Sequence, residues 1–222
     1  DVSEGEKAWL KKVAKEIVQM PIIDIPPAAK AIDDFSPVDQ ETIRQLDKIF
    51  WSEIAGTRLG RIFSEVTTVG GKQKAEAIQD AVERVGAQLS DVMYVGDSIT
   101  DVEAFKLVRS SGGLTVSFNG NEYAVKNAEV AVLSQSSIVT AVIADLFFNL
   151  GKQQTLEVLG SWSLETLQKI PISPLLRNKL LELYPSALPK VQIVTAENMD
   201  IIAKESSEFR RKVRGESIGR LG

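Results

Sequence analysis

Val92 to Asp101 reads VMYVGDSITD. Val92, Met93, Tyr94 and Val95 run straight into Gly96-Asp97-Ser98, and Asp101 follows. An apolar run of this length bounded by glycine reads as a fully buried parallel strand. Gly96 lets the backbone turn tightly at the strand's C-terminal end. Asp97 or Ser98 then caps the helix that carries Asp101. Ligands of open α/β sheets sit at the carboxyl ends of the strands, which is where two carboxylates fall here.

Outward from that stretch the chain alternates strand and helix. Val66 to Val69 is β-branched and Gly70-Gly71 is a turn. Lys72 to Gln88 is an amphipathic helix with Ala75, Ile78, Ala81, Val82 and Val85 inward. After the strand at 92–95 comes a helix from about Thr100 to Arg109, then a strand from Leu114 to Phe118. Asn119-Gly120-Asn121 is a turn signal. A short helix from Glu122 to Asn127, a strand from Val130 to Leu133 and a helix from Ser134 to Leu150 complete the pattern. Such alternation implies parallel strands with crossover helices.

The flanks are different. Glu4 to Gln19 has helical spacing at Trp9, Leu10, Val13, Ile17 and Val18. Met20 to Ile25 is cut off by Pro26-Pro27 and reads as a loop or a brief extended piece. Ser36-Pro37 starts a helix through about Ala55. Residues 152–222 read as helices punctuated by prolines at 171, 174, 185 and 189. The expected organisation is a helical region 1–64, an α/β core 65–150 and a helical C-terminal extension 151–222.

Composition narrows the function. The 222 residues carry a net charge of −4, which argues against nucleic acid or an anionic membrane as partner. Cysteine is absent, so disulfide and thiolate chemistry are excluded, which suits a reducing, cytoplasmic setting. Histidine is absent too, so acid–base work near neutrality falls to carboxylates, Lys or Tyr. No apolar run reaches the ~18 residues of a spanning helix.

Asp97 and Asp101 are four apart and share a helix face. Two carboxylates there make a hard oxygen site suited to Mg²⁺, which keeps water and phosphate oxygens around it. The plainer alternative has Asp97 as a helix cap and Asp101 solvated. Lys72 and Lys74 stand in the first turn of their helix, opposing its dipole at roughly 0.3–1 kcal/mol each. That placement points to an anionic ligand or nearby carboxylates; both lysines, Lys74 above all, also read as surface residues. Gly70-Gly71 offers close backbone approach or simply a turn.

Gly71-Lys72-Gln73-Lys74-Ala75, then Val95 to Asp101, then Val116 to Asn121 (VSFNGN) together resemble the C-terminal half of the haloacid dehalogenase superfamily, closest to its Mg²⁺-dependent phosphatases. The resemblance covers about residues 65–150. It implies a Rossmannoid parallel sheet, a helical cap-like region in residues 1–60 and hydrolysis of a small phosphorylated substrate through an aspartyl-phosphate. It gives Lys72 the role of stabilising nucleophile and phosphoryl group. It makes Asp97 a Mg²⁺ ligand and has Asp101 support the metal site as ligand and catalytic residue. Gly71, Ser98 and Asn119 fall where the substrate is held. The chain also looks like an archaeal branch that includes proteins named as a subunit R of energy-converting hydrogenases.

The pattern departs from the family at its nucleophile, Asp-x-Asp-x-Thr/Ser. No aspartate here has another two residues on. Asp24, after Pro21 to Ile23, is the strand-end candidate, but Ile-Pro-Pro follows it. The family's second motif, a Ser or Thr ending a strand, is not identifiable either. Because the chain starts at Asp1, the expectation is a processed or partial product whose first strands lie elsewhere, with an N-terminal segment or partner chain completing the sheet. A non-catalytic binding or assembly subunit is the alternative, with Arg210, Arg211, Lys212 and Arg214 serving a partner or forming a solvated helix end. A Rossmann-like nucleotide binder of another class is disfavoured, since no Gly-x-Gly-x-x-Gly or Gly-x-x-x-x-Gly-Lys-Ser/Thr stretch occurs.

Overall fold

A computed structural model describes residues 3–26, 29–66 and 69–215. The chain divides into two compact units, Asp1–Thr68 and Val69–Gly222.

The first unit is helical. Helix α1 (Glu4–Gln19) opens on a capping box: Glu6 N–H donates to Ser3 Oγ and Ser3 N–H to Glu6 Oε2. Helix α2 (Pro37–Asp47) has Ser36 as cap and proline in its first turn, and continues into a π-helical stretch, Lys48–Ile54. A short helix α3 (Arg61–Glu65) follows. Among the described hydrophobic residues here only Val13 and Ile49 are buried. Residues 21–26 form no strand, so Asp24 ends none. Val66 and Val69 are not in a strand either, against the reading of 66–69 as the start of the strand–helix alternation. Thr67 and Thr68 lie outside the described residues.

The second unit is a four-stranded sheet in the order β1 (Met93–Gly96), β2 (Leu114–Phe118), β3 (Val130–Leu133), β4 (Lys190–Ile193). β1, β2 and β3 are parallel, with Tyr94 opposite Thr115 and Ser117 opposite Ala131. β4 runs antiparallel to β3. The sequence reading missed β4 and took residues 152–222 as helices. Four residues just after Pro189 carry too little pattern to announce a strand.

Helices cover both faces, as a parallel sheet requires. Leu114, Val116, Val130 and Val132 face one way, onto Val139, Val142, Ile143 and Leu146 of helix α7 (Ile138–Gly160), Leu167 of α8 (Leu164–Lys169) and Leu180 of α9 (Pro174–Leu183). Helix α7 is kinked at Gly151, where φ is +72°. The other face carries Ala131, packed with Val125 of α6 (Glu122–Asn127) and Ile202 and Ala203 of α10 (Met199–Arg214). Phe105 of α5 (Val102–Ser110) packs there with Ala124 and Tyr94. Helix α4 (Lys72–Val85) lies against α5. Among the described residues β1 pairs only with β2, so its other edge is open. No helix among them is long and apolar enough to cross a membrane.

Candidate functional site

The site forms where β1 and β2 end. After Gly96 the chain turns through Ser98 into a 3₁₀ turn, Ile99–Asp101, which feeds α5. The turn folds Asp101 back onto the strand end: the N–H groups of Asp97 and Ser98 donate to Asp101 Oδ2 at 2.9 and 3.0 Å. Gly96 makes this approach possible, because a Cβ there would stand 2.6 Å from Asp101 Cγ. Asp101 Oδ1 receives Lys74 Nζ and the Tyr94 hydroxyl, each at 2.7 Å. Tyr94 is steadied by an edge-on contact with Phe105, ring centroids 5.4 Å apart.

Both Asp101 oxygens therefore hold protein donors, and the residue is buried. Burial pushes its carboxyl up, but the Lys74 amine, the Asp97 N–H, the Tyr94 hydroxyl and the Ser98 N–H outweigh that and hold it at about 2. Burial, the hydrogen bond to Asp101 and the charges of Asp101 and Asp97 push the Tyr94 hydroxyl well above the ordinary tyrosine range. With its carboxyl held that low, Asp101 is ionised near neutral pH, and its contacts fix the turn and the lysine.

The lysine beside the carboxylates is Lys74, not Lys72. Lys74 Nζ also donates to Thr100 Oγ1 at 2.9 Å, and 28% of its side chain remains exposed. Lys72, the expected catalytic lysine, is 86% exposed and its amine lies 3.5 Å from Glu76. The reason is helical phase. Lys74 shares an i, i+4, i+8 stripe with Ile78 and Val82, the half-buried face of α4, whereas Lys72 points nearly half a turn away. That stripe was visible in the sequence.

Gly71 is the residue before α4, with φ +52° and room for a Cβ, so its glycine serves backbone conformation. Its N–H donates to the Thr100 carbonyl at 3.0 Å, tying α4 to the turn. Ser98 Oγ lies 3.0 Å from Thr100 Oγ1 and 3.3 Å from Asp101 Oδ2. Asn119, expected to bind substrate, has its side-chain amide engaged elsewhere. Its Nδ2 donates to the Ser134 carbonyl at 2.7 Å and its Oδ1 accepts from Ser134 N–H at 2.9 Å. It is buried in left-handed backbone (φ 49°) and staples the ends of β2 and β3. Only its carbonyl turns toward the site.

Asp97 meets cations from the far end of the chain. Its Oδ2 accepts from Arg210 Nη1 at 2.6 Å and Arg214 Nη2 at 2.7 Å. Arg210 Nη1 also reaches the carbonyls of Asp97 at 3.0 Å and Asn119 at 3.3 Å. One turn earlier on α10, Ser206 Oγ donates to the Gly120 carbonyl at 2.6 Å. Ile202, Ser206, Arg210 and Arg214 thus form one stripe that starts apolar and ends cationic. Arg210 and Arg214 face inward; the remaining basic residues of that cluster, Arg211 and Lys212, do not join them. The sequence reading took all four as a partner surface or a solvated end.

Asp97 and Asp101 were expected to hold Mg²⁺. Asp101 is saturated by five donor contacts and offers no lone pair direction outward. Asp97 already faces two guanidinium groups. Three cationic side chains (Lys74, Arg210, Arg214) against two carboxylates leave a surplus of positive charge, and like charge disfavours a dication. Among the described residues no group of three or more carboxylates converges on any point. As arranged, these residues do not fit a divalent cation.

A family model described as haloacid dehalogenase-like hydrolase matches residues 9–145, more than half of the chain. Among solved structures, gene product AF1437 from Archaeoglobus fulgidus matches at 25% identity with a TM-score of 0.60. The alignment covers 100% of this chain and 56% of that one, so the chain spans little more than half of its solved relative. No curated protein matches the chain. The matched span includes α4, β1, the Asp97–Asp101 turn and β3, and on that ground the chain belongs to the haloacid dehalogenase-like hydrolases.

Proposed function

We propose that this chain supplies the electrophilic half of a phosphate-monoester hydrolase. The observation that carries the reading is Lys74 fixed by Asp101 and Tyr94 at the C-terminal tip of β1, next to Asp97. An ionised Asp101 keeps the amine charged and aimed, so Lys74 neutralises charge on a phosphoryl group without reorganising. The exposed part of the lysine and the Ser98 hydroxyl are the groups on this chain that meet phosphate oxygens. The family resemblance implies Mg²⁺; with α10 docked, no step here is routed through a metal.

The attacking carboxylate comes from outside the described residues. A segment or partner chain lies along the open edge of β1, as a strand whose end faces Lys74 and Asp97. Two observations support this: β1 has an unpaired edge, and the solved relative is longer. The archaeal source of that relative agrees with placing the chain in an archaeal branch of the family.

A panel of small phosphate esters, assayed with this chain alone and with the full reading frame of its gene, tests the proposal. The chain alone is expected to be inactive and the complete protein active, with Lys74→Ala lowering kcat at least a hundredfold. A complete protein that turns over no ester sinks it. The second reading is a non-catalytic binding subunit, which would extend to the resemblance to hydrogenase subunit R. The neutralisation of Asp97 by two arginines favours it. It is distinguished by full-length protein that lacks turnover yet co-purifies with a stoichiometric partner.

A further inference from the structure

Helix α10 is bound to the centre by its chemistry as well as by its packing. Arg210, with a side chain 4% exposed, is held among the described residues by Asp97 Oδ2 and by the carbonyls of Asp97 and Asn119. These acceptors are the ends of β1 and β2, the atoms that define the site. Arg214, one turn later, closes on the same Asp97 oxygen while its side chain stays 36% exposed. Two guanidinium groups on one carboxylate oxygen are more than a stability device needs, since a single bidentate pair would satisfy Asp97. They occupy Asp97 Oδ2, an oxygen that a metal ligated by Asp97 would compete for.

We infer that Arg210 and Arg214 are an internal counter-cation of this centre, holding Asp97 in competition with divalent metal, so that a metal binds Asp97 only when the last turns of α10 let go. The inference goes beyond the hydrolase reading and shares its site, but not its readout. It requires the two occupants to exclude each other: the metal weakens the helix end, and the helix end weakens the metal, by the same factor. Arg214 is the exchangeable member, being partly exposed and making one described contact at Asp97. Arg210 is the anchor, fixed by two backbone carbonyls as well as the carboxylate.

The test is calorimetric titration of the unaltered chain with MgCl₂ and MnCl₂, alongside Arg214→Gln and the double variant R210M/R214Q. Methionine keeps an unbranched, flexible stem in the buried position while removing the guanidinium; circular dichroism checks that each variant is folded. Metal affinity is expected to rise at least tenfold in R214Q and further in the double variant, and the gain is expected to vanish when Asp97→Asn is added. Equal affinity in the unaltered chain and both variants overturns the inference. So does absence of binding in a folded double variant, because the arginines are then not what keeps the ion away. Neither result bears on phosphate-ester turnover, so this inference and the hydrolase reading fail separately.

Discussion

β2 and β3 are covered along almost their whole length, while β1, the strand that carries the site, keeps only partial cover. Leu114, Val116, Val130 and Val132 are fully buried, whereas Val95 is 38% exposed and Met93 and Tyr94 are intermediate. All three strands are short apolar runs of the kind that central parallel strands show. The difference lies in neighbours. Among the described residues β2 has a strand on each side and β1 has one. Yet the C-terminal tip of β1 is densely bonded, with five donor contacts on one carboxylate. A rigid tip on a strand with an open edge is the arrangement that the proposed completing segment requires.

The largest effect falls at that tip. Asp101→Asn removes the charge that holds Lys74 and leaves a part-buried amine facing a neutral amide. Breaking a buried pair in this way costs about 3–5 kcal/mol, measured by urea unfolding. The same carboxylate sets a pH dependence. Its folded value of about 2 lies below the unfolded value of about 3.9, so its contribution is fully present above pH ~4 and is lost as the pH falls through ~2. The shift corresponds to about 2–3 kcal/mol. Unfolding midpoints followed from pH 5 to 2 are expected to fall in the unaltered chain and to lose that component in Asp101→Asn. An unchanged profile in the variant would remove Asp101 from its place as the anion of the site.

The contrast between strands is tested by truncation. Leu114→Ala in β2 opens a cavity in a fully packed layer and is expected to cost about 2–5 kcal/mol. Val95→Ala in β1 removes a side chain already part in water and is expected to cost less than about 1 kcal/mol. If a further segment pairs with β1 as proposed, its presence is expected to raise the Val95 cost toward that of a buried valine. A Val95 cost that is the same with and without it would mean that no segment covers β1.

Much of this was legible in the sequence, and the exceptions have physical causes. The strand at 92–95, the helices flanking it and the strands at 114–118 and 130–133 followed from period and punctuation, because local pattern decides them. β4 escaped because four residues hold barely two periods, and its pairing with β3 is set by contacts far apart in sequence. Asn119 announced a turn but not its target: which carbonyl its amide would meet depends on how Ser134 comes back to it. Arg210 and Arg214 lay more than a hundred residues from Asp97, beyond any spacing rule. Even so, their place on the Ile202–Ser206 stripe of α10 marked them as inward. Lys74 was marked the same way by Ile78 and Val82, and the choice of Lys72 followed a motif's position where helical phase was the better guide.

That choice gives the finest test. Lys72 is a solvated residue opposite Glu76, and exposed i, i+4 pairs contribute about 0.3–0.5 kcal/mol at most. Lys72→Gln is therefore expected to leave stability within about 0.5 kcal/mol and the pH profile unmoved. Lys74→Gln keeps a donor near Asp101 but removes its charge, and is expected to cost about 1–3 kcal/mol at neutral pH. The two differ more sharply in acid. Without the Lys74 charge, burial has less to oppose it and the Asp101 carboxyl moves up from about 2 toward its unfolded value. The acid loss of stability then begins at the same pH, set by the unfolded carboxyl, but is complete at a higher pH and smaller in total in the Lys74 variant, while the Lys72 variant follows the unaltered chain. Identical acid profiles for the two lysine variants would undo the assignment of Lys74 as the cation beside Asp101.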